Sequence, residues 1–90
     1  MDQVMDTPRH RYELVLDGHT AFSAYRREGD VLTFYHTVVP PALQGQGVAS
    51  RLIAGALADV RAKGLKLIAE CSFVRAYLAK HPEDQDLIAG

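Results

Sequence analysis

Two consecutive prolines, Pro40 and Pro41, divide the chain into a strand-like half and a helical half. Proline cannot donate a hydrogen bond to a β-ladder, so the apolar run before the pair has to end there. Behind the prolines stands the segment QGQG, residues 44–47, and an apolar pattern with helical spacing begins at Val48. One glycine is enough for a turn. Two glycines at the mouth of a helix are typical of a site where backbone N–H groups enclose an anion.

Three strands are predicted before the prolines. Residues 11–16 alternate between apolar and polar side chains, and the Asp-Gly pair that follows is a strong hairpin signal. A second strand is predicted over about residues 19–27, and a third over about 31–39, which is rich in β-branched and aromatic residues. These strands predict an antiparallel meander, and residues 1–9 are expected to form a flexible lead-in.

The half after the prolines predicts two helices and one strand. The first helix runs from about residue 47 to 63, with an apolar stripe formed by Val48, Leu52, Ile53, Ala56, Leu57 and Val60. A short strand over 65–71 and a second helix over about 72–81 follow, and Pro82 ends that helix. The order is therefore β-β-β-α-β-α in one α+β domain over residues 10–90. A long helical connection predicts that the last two strands are parallel.

Size, charge and cysteine content narrow the class of protein. Ninety residues make one domain, which we expect to be a monomer or a weak homodimer. A net charge of −1 gives no electrostatic case for binding nucleic acid or a membrane surface. The chain shows neither a signal peptide nor an apolar run long enough for a membrane span. A single cysteine, Cys71, fits a reducing compartment, so a cytoplasmic location is expected.

Three phosphate-binding patterns are compared for the glycine loop. A P-loop needs a Lys-Ser or Lys-Thr pair after the glycines, and none is present. A Rossmann fingerprint needs a glycine where Ser50 stands, and 90 residues are too few for that fold. The third pattern, Q/R-x-x-G-x-G/A, is met by Gln44, Gly47 and Ala49. The alternative is an ordinary flexible loop before a capped helix.

The segments HTVVPPALQGQGVASRL, CSFV (71–74) and YLAKHPE resemble the GNAT superfamily of acetyl-CoA-dependent N-acetyltransferases. The chain looks most like the short single-domain, YjdJ-type branch, over about residues 11–87. The resemblance implies a twisted sheet whose splayed parallel strand pair admits acetyl-CoA. The pantetheine arm would follow the strand that ends at residue 39, and the pyrophosphate would bind the N–H groups of residues 46–50. The cofactor-binding residues would be Val38, Val39, Gln44, Gly45, Gln46, Gly47, Val48, Ala49, Ser50 and Phe73.

Two features of the sequence depart from the pattern of larger superfamily members. The loop position that is often arginine is Gln44, which forfeits a charged contact to phosphate. This sequence predicts no counterpart of the N-terminal helices that, by the resemblance, shape the acceptor site in larger members. The resemblance therefore implies the cofactor but does not identify the acceptor.

Three residues are candidates for the chemistry. By resemblance, Cys71 lies close to the acetyl group as an acyl relay, a wall or an inhibitor-sensitive thiol; its alternative is a small buried apolar residue. His36 is the best candidate for the general base. The alternative is that it is a hydrogen-bonded histidine of the strand with no catalytic role. By resemblance, Tyr77 aligns with the tyrosine that acts as general acid in many members. The alternative is that its ring only packs in the core. Glu70 is a weaker base candidate, and no cluster has metal-ligand spacing.

The function predicted on these grounds is transfer of an acetyl group from acetyl-CoA to a primary amine, on a protein lysine or a small molecule. The amine attacks the thioester directly, and a backbone N–H near Val39 polarises the carbonyl, since Pro40 and Pro41 have none. The alternative is a non-catalytic acyl-CoA-binding module. It would keep the glycine loop and need none of the three candidate catalytic residues.

Overall fold

A five-stranded sheet organises the computed structural model, which describes residues 4–89. The strands lie side by side in chain order: β1 (Val4–Thr7), β2 (Arg11–Leu16), β3 (His19–Glu28), β4 (Val31–Val38) and β5 (Lys66–Ala69). Neighbours from β1 to β4 are antiparallel, and β4 and β5 are parallel. The helices are α1 (Val48–Ala62) and α2 (Ser72–Lys80), with 3-10 helices over Pro41–Leu43 and Pro82–Leu87. The predicted α+β class and the parallel strand pair are confirmed.

The N-terminal segment differs from the expectation of a flexible lead-in over residues 1–9. Residues 4–7 form β1, in which Val4 lies opposite Leu14 of β2. Residues 1–3 lie outside the part of the chain that the structure describes. The strand was not predicted because its four residues include only two apolar ones, Val4 and Met5, side by side.

The core lies between one face of the sheet and the two helices. Tyr12, Tyr25 and Phe34 form an aromatic cluster on this face, with ring centroids 5.5, 5.7 and 6.0 Å apart. The buried residues of α1 are the predicted apolar stripe, so the helical pattern read from the sequence is confirmed. We call this side of the sheet the helix face and the opposite side the outer face.

A network of charged and phenolic groups connects β1 and β2 to α1. The Tyr12 hydroxyl donates to Asp59 at 2.6 Å, and the Tyr25 hydroxyl donates to Asp6. Lys63 pairs with Asp59 at 2.8 Å and with Asp6 at 3.3 Å. Burial, followed by the hydrogen bonds to these carboxylates, raises the pKa of both phenols above its ordinary value, so they stay protonated at neutral pH.

The free energy of unfolding is expected to fall in acid as Asp59 is protonated. Burial opposes ionisation of this carboxyl, but hydrogen bonds from Lys63 and Tyr12 hold its pKa below the ordinary value. In the unfolded chain the pKa of an Asp is about 3.9. Because the folded-state pKa of Asp59 is lower, its ionised form stabilises the fold at pH values above the unfolded pKa. That stabilisation is lost as the pH falls through the folded-state pKa. Urea unfolding near neutral pH and near pH ~3 measures the loss, which should be smaller in Asp59→Asn than in the control Asp30→Asn. Equal losses in the two variants would contradict this prediction.

Candidate functional site

A β-bulge near the end of β4 sets which side chains reach each face of the sheet. Phe34 and His36 pair with consecutive residues of β3, so Tyr35 is the extra residue between them. An extra residue interrupts the strict alternation of a strand and increases its local twist. The faces on which the last residues of β4 lie therefore cannot be read from alternation alone.

The side-chain contacts show the result of the bulge. Tyr35 and His36 both lie on the outer face, where Tyr35 contacts Arg26 and His36 contacts Phe22. Thr37 lies on the helix face, since it bonds to groups packed there. The predicted base candidate His36 is thus an exposed residue of the outer face.

The parallel pair β4–β5 opens just beyond the bulge. The Phe34 carbonyl oxygen accepts hydrogen bonds from the N–H groups of both Glu70 and Cys71, each at 2.9 Å. Pairing between the two strands ends at Phe34 and Ala69. Within the described part of the chain, residues 35–38 of β4 have no β5 residue beside them. We call the point at the Phe34 carbonyl the vertex of the cleft.

The two residues at the vertex point to opposite faces of the sheet. Cys71 is 8% exposed, and its Sγ lies 3.3 Å from Thr37 Oγ1 on the helix face. Thr37 also shares a hydrogen bond of 2.9 Å with the buried Ser23 hydroxyl. The Glu70 carboxylate lies on the outer face and pairs with Arg26 at 2.9 Å. One point of the cleft thus presents a thiol to one side and a carboxylate to the other.

A cavity of about 390 Å³ opens on the helix face, between the end of β4 and the starts of both helices. It is lined by Thr37, Val39, Leu43, Gln44, Gly45, Gly47, Val48, Ala49, Ser50 and Phe73. Eight of these are predicted cofactor-binding residues, and the other two predicted ones, Val38 and Gln46, lie beside the lining. Thr37 and Leu43 were not predicted. The bulge hides the orientation of Thr37 from the sequence. Leu43 has only Ala42 as an apolar neighbour between the prolines and the glycine loop, which is too short a run to show a periodic pattern.

The glycine loop leaves the start of α1 open toward this cavity. Gly45 and Gly47 have φ values of 81° and 70°, in the left-handed region that favours glycine. Gly47 is the N-cap of α1 and offers no side chain to cap it. The backbone bonds of the helix begin with the Arg51 N–H, which donates to the Gly47 carbonyl. The N–H groups of residues 48–50 therefore have no acceptor within the helix.

Two glutamine side chains of the loop donate hydrogen bonds to backbone carbonyls that precede it. Gln44 Nε2 donates to the Val39 carbonyl at 3.1 Å, and Gln46 Nε2 donates to the Ala42 carbonyl at 3.3 Å. The Gln44 amide nitrogen thus bonds to the residue that precedes the two prolines. The side chains that line the cavity carry no formal charge. An anion there would be held by backbone N–H groups and the positive end of the helix dipole.

Tyr77 lies in a second, smaller cavity of about 120 Å³ that shares Ser50 and Phe73 with the first. Its ring stacks on His81 with centroids 3.8 Å apart, and Lys80 lines the same space. Burial, followed by the charges of Asp84 and Glu83, raises the pKa of the Tyr77 phenol. The phenol therefore stays protonated at neutral pH and keeps a proton to donate.

The structure does not bring the three predicted catalytic residues together. Cys71 lies at the vertex on the helix face, Tyr77 lies in the smaller cavity, and His36 lies on the outer face.

Within residues 4–89, no helix has the length and apolar character to cross a membrane. In the same residues, no three metal-ligating side chains are grouped as a metal site would need.

Comparisons with known proteins agree with this architecture. A family model described as GCN5-related N-acetyltransferase matches residues 11–87. The fold is similar to the solution NMR structure of a GCN5-like protein from Staphylococcus aureus, with a TM-score of 0.73. That protein is 28% identical in sequence, and the match covers 98% of this chain and 88% of the other. The likeness therefore extends over the sheet, the glycine loop and both helices.

Proposed function

Since this chain belongs to the GCN5-related N-acetyltransferase family, we propose that its acyl donor is acetyl-CoA and its acceptor a primary amine. Membership of the family makes the protein an acetyltransferase. The observation that carries the proposal is the open start of α1, which faces a cavity of about 390 Å³ beside the cleft. The acceptor is either a lysine side chain of a protein or a small amine.

The glycine loop is the proposed pyrophosphate site. The N–H groups of residues 46–50 are the proposed donors to the pyrophosphate, and the helix dipole adds about half a positive charge at the start of α1. Gly45 and Gly47 have no neighbouring atom within 4 Å of the place where a Cβ would stand. A phosphate can therefore approach the backbone closely. Ser50, in the first turn of α1, adds a hydroxyl donor on the same cavity wall.

The free edge of β4 beyond the vertex is the proposed pantetheine site. Val38 and Val39 lie where β5 no longer accompanies β4, so an extended arm can run beside this segment and pair with backbone groups of residues 35–38. The Val39 N–H is the proposed donor to the thioester carbonyl, since the next two residues are prolines. Phe73, partly exposed on the cavity wall, supplies apolar surface beside the arm.

Bound acetyl-CoA supplies an acetyl thioester, whose carbonyl carbon forms the new amide bond as its bond to sulfur breaks. The amine must first lose a proton, and His36 on the outer face is the proposed base. Tyr77 is the proposed donor of a proton to the departing thiolate, because its raised pKa keeps it protonated. Overall the ammonium gives up two protons: one goes to the thiolate and one is released. Cys71 is proposed to border the acetyl end, either as a wall or as an acyl relay.

Acetyl-CoA is expected to raise the melting temperature of the protein substantially. At about 100 times its Kd, a ligand that binds only the folded state adds about 2.7 kcal/mol. For a domain of this size that is a rise of about ten degrees or more. Thermal unfolding followed by circular dichroism measures it, with free CoA and ATP as comparison ligands.

The comparison ligands decide between the possible outcomes. A rise with acetyl-CoA and CoA but not with ATP supports the cofactor site, and no rise at saturation would refute it. Replacing Cys71, His36 and Tyr77 together should leave the rise intact and abolish acetyl transfer to an amine. If the biological role of the protein survives that triple replacement, the protein acts as a binding module.

The compartment is also part of the proposal. A free thiol at Cys71 is compatible with a reducing environment, so we place the protein in the cytoplasm. The proposed partners are acetyl-CoA and the amine acceptor, with neither nucleic acid nor a membrane surface required. Subcellular fractionation with an antibody to the protein tests the location.

A further inference from the structure

We propose that Glu70 and Tyr35 form the binding site for the ammonium group of the acceptor on the outer face, and that Arg26 fills this site in the free protein. The inference rests on the proposed function and names its substrate class: primary amines that carry a positive charge. In the free protein, the Arg26 guanidinium occupies the position that the ammonium group of the acceptor would take.

The contacts of Arg26 define the site. Its guanidinium carbon lies 5.0 Å from the centre of the Tyr35 ring, and its Nη2 lies 2.9 Å from Glu70 Oε1. Arg26 projects from β3, so its side chain crosses β4 to reach the residue that follows β5. A carboxylate beside an aromatic face is the environment that binds a primary ammonium by ion pairing and cation–π attraction.

The position of the site relative to the cleft gives it a role in transfer. Glu70 and Cys71 are consecutive, and both donate to the Phe34 carbonyl at the vertex. Cys71 lies on the helix face, the side of the cavity, whereas Glu70 lies on the outer face. An acyl donor in the cavity and an amine at Glu70 therefore approach the vertex from opposite faces, so neither blocks the other.

The Arg26–Glu70 contact is suited to displacement. Both side chains are 54% exposed, and ion pairs between such exposed groups contribute little because water and salt screen them. An incoming ammonium would replace one cation by another at the same carboxylate and ring. Neutral or anionic molecules have no such gain, so the site selects cationic amines by charge.

A similar arrangement on the same face provides a matched control. Arg11 lies with its guanidinium carbon 4.2 Å from the Phe22 ring centre and pairs with Glu13 at 2.6 Å. This arrangement belongs to β2 and β3, which are not part of the β4–β5 cleft. Its side chains are less exposed, at 24% and 20%, and its Phe22 ring contacts His36, but it lies away from the vertex. Glu13→Gln therefore removes a carboxylate from the outer face without altering Glu70.

Binding of n-butylamine, followed by amide chemical shifts in NMR, tests the proposal directly, with n-butanol as the uncharged comparison. In the unaltered protein, n-butylamine should shift the signals of Tyr35 and Glu70 saturably, and n-butanol should not. Arg26→Ala should lower the Kd of n-butylamine about two- to fivefold, which corresponds to the free energy of an exposed ion pair. Glu70→Gln should abolish saturable binding, and Glu13→Gln should leave it unchanged.

The outcomes separate this inference from the proposed function. If Glu70→Gln binds n-butylamine as well as Glu13→Gln does, or if the Tyr35 and Glu70 signals never move, the ammonium site is wrong. If n-butylamine binds at Glu70 but acetyl-CoA fails to raise the melting temperature, the ammonium site stands and the proposed acyl donor fails. Folding of each variant is checked by its amide spectrum before titration.

Discussion

Replacing Gly55 by alanine is expected to destabilise the protein by about 2 kcal/mol. Alanine in the interior of a helix normally stabilises it by about 1 kcal/mol relative to glycine, so the expected sign is reversed. Gly55 lies in α1 against β1, and a Cβ there would stand 2.4 Å from Val4 Cγ2 and 2.6 Å from Val4 Cβ. Those distances are too short for any real contact, so either the helix or β1 has to move.

A double-mutant cycle with Val4 tests this cause. Val4→Gly removes all three atoms that the new Cβ would meet. In that background Gly55→Ala should stabilise the protein by up to about 1 kcal/mol, as helix propensity alone requires. Urea unfolding of the four proteins gives the coupling energy. If Gly55→Ala stabilises the protein with Val4 present, β1 does not pack on α1 as described.

Replacing Gly47 by alanine is expected to weaken acetyl-CoA binding by more than about tenfold, which is ~1.4 kcal/mol. Gly47 has a φ of 70°, where an L-residue costs about 1 kcal/mol or more. Relaxing that strain reorients the loop and the N–H groups at the start of α1. Gly47 also lines the cavity, and a Cβ there would meet no neighbouring atom within 4 Å, so it would add bulk beside the proposed phosphate site.

Gly64 at the other end of α1 is the control for backbone strain. Its φ is 69°, and a Cβ there also meets nothing within 4 Å. Gly64→Ala should therefore lose about the same stability, about 1 kcal/mol, yet keep the full rise in melting temperature with acetyl-CoA. An unchanged rise in Gly47→Ala, or an equal loss of the rise in both variants, would contradict the assignment of the loop.

The sequence was informative wherever the pattern was local. The apolar stripe of α1 is confirmed residue by residue, because helical spacing maps directly onto one buried face. The Asp17-Gly18 hairpin is confirmed as well, since both residues have positive φ, as the tightest hairpin turns require. The C-terminal end of α1 is predicted by Gly64, a residue type that commonly caps helices. The Leu65 N–H donates to the Val60 carbonyl, which is the backbone hydrogen bond expected of a glycine cap.

Two features, β1 and the bulge at Tyr35, could not be predicted from the sequence because they depend on contacts between distant segments. β1 has too few apolar residues to be seen alone, and the signal for it was Gly55, a small residue in a helix interior. The bulge at Tyr35 also leaves no mark in the alternation of β4, yet it places Tyr35 and His36 on one face. The sequence therefore located the loop that suits an anion but not the separation of the candidate residues between two faces.

The order of the strands has a consequence for the entropy of the chain. Every neighbour in the sheet is also the next strand in the sequence, and the hairpins close through short turns. Closing a short loop costs little conformational freedom, and the cost grows with the number of residues enclosed. The long connection through α1 is the one between β4 and β5, the strands that form the cleft. The polypeptide thus gives up most freedom per contact at the place where its two substrates are proposed to meet.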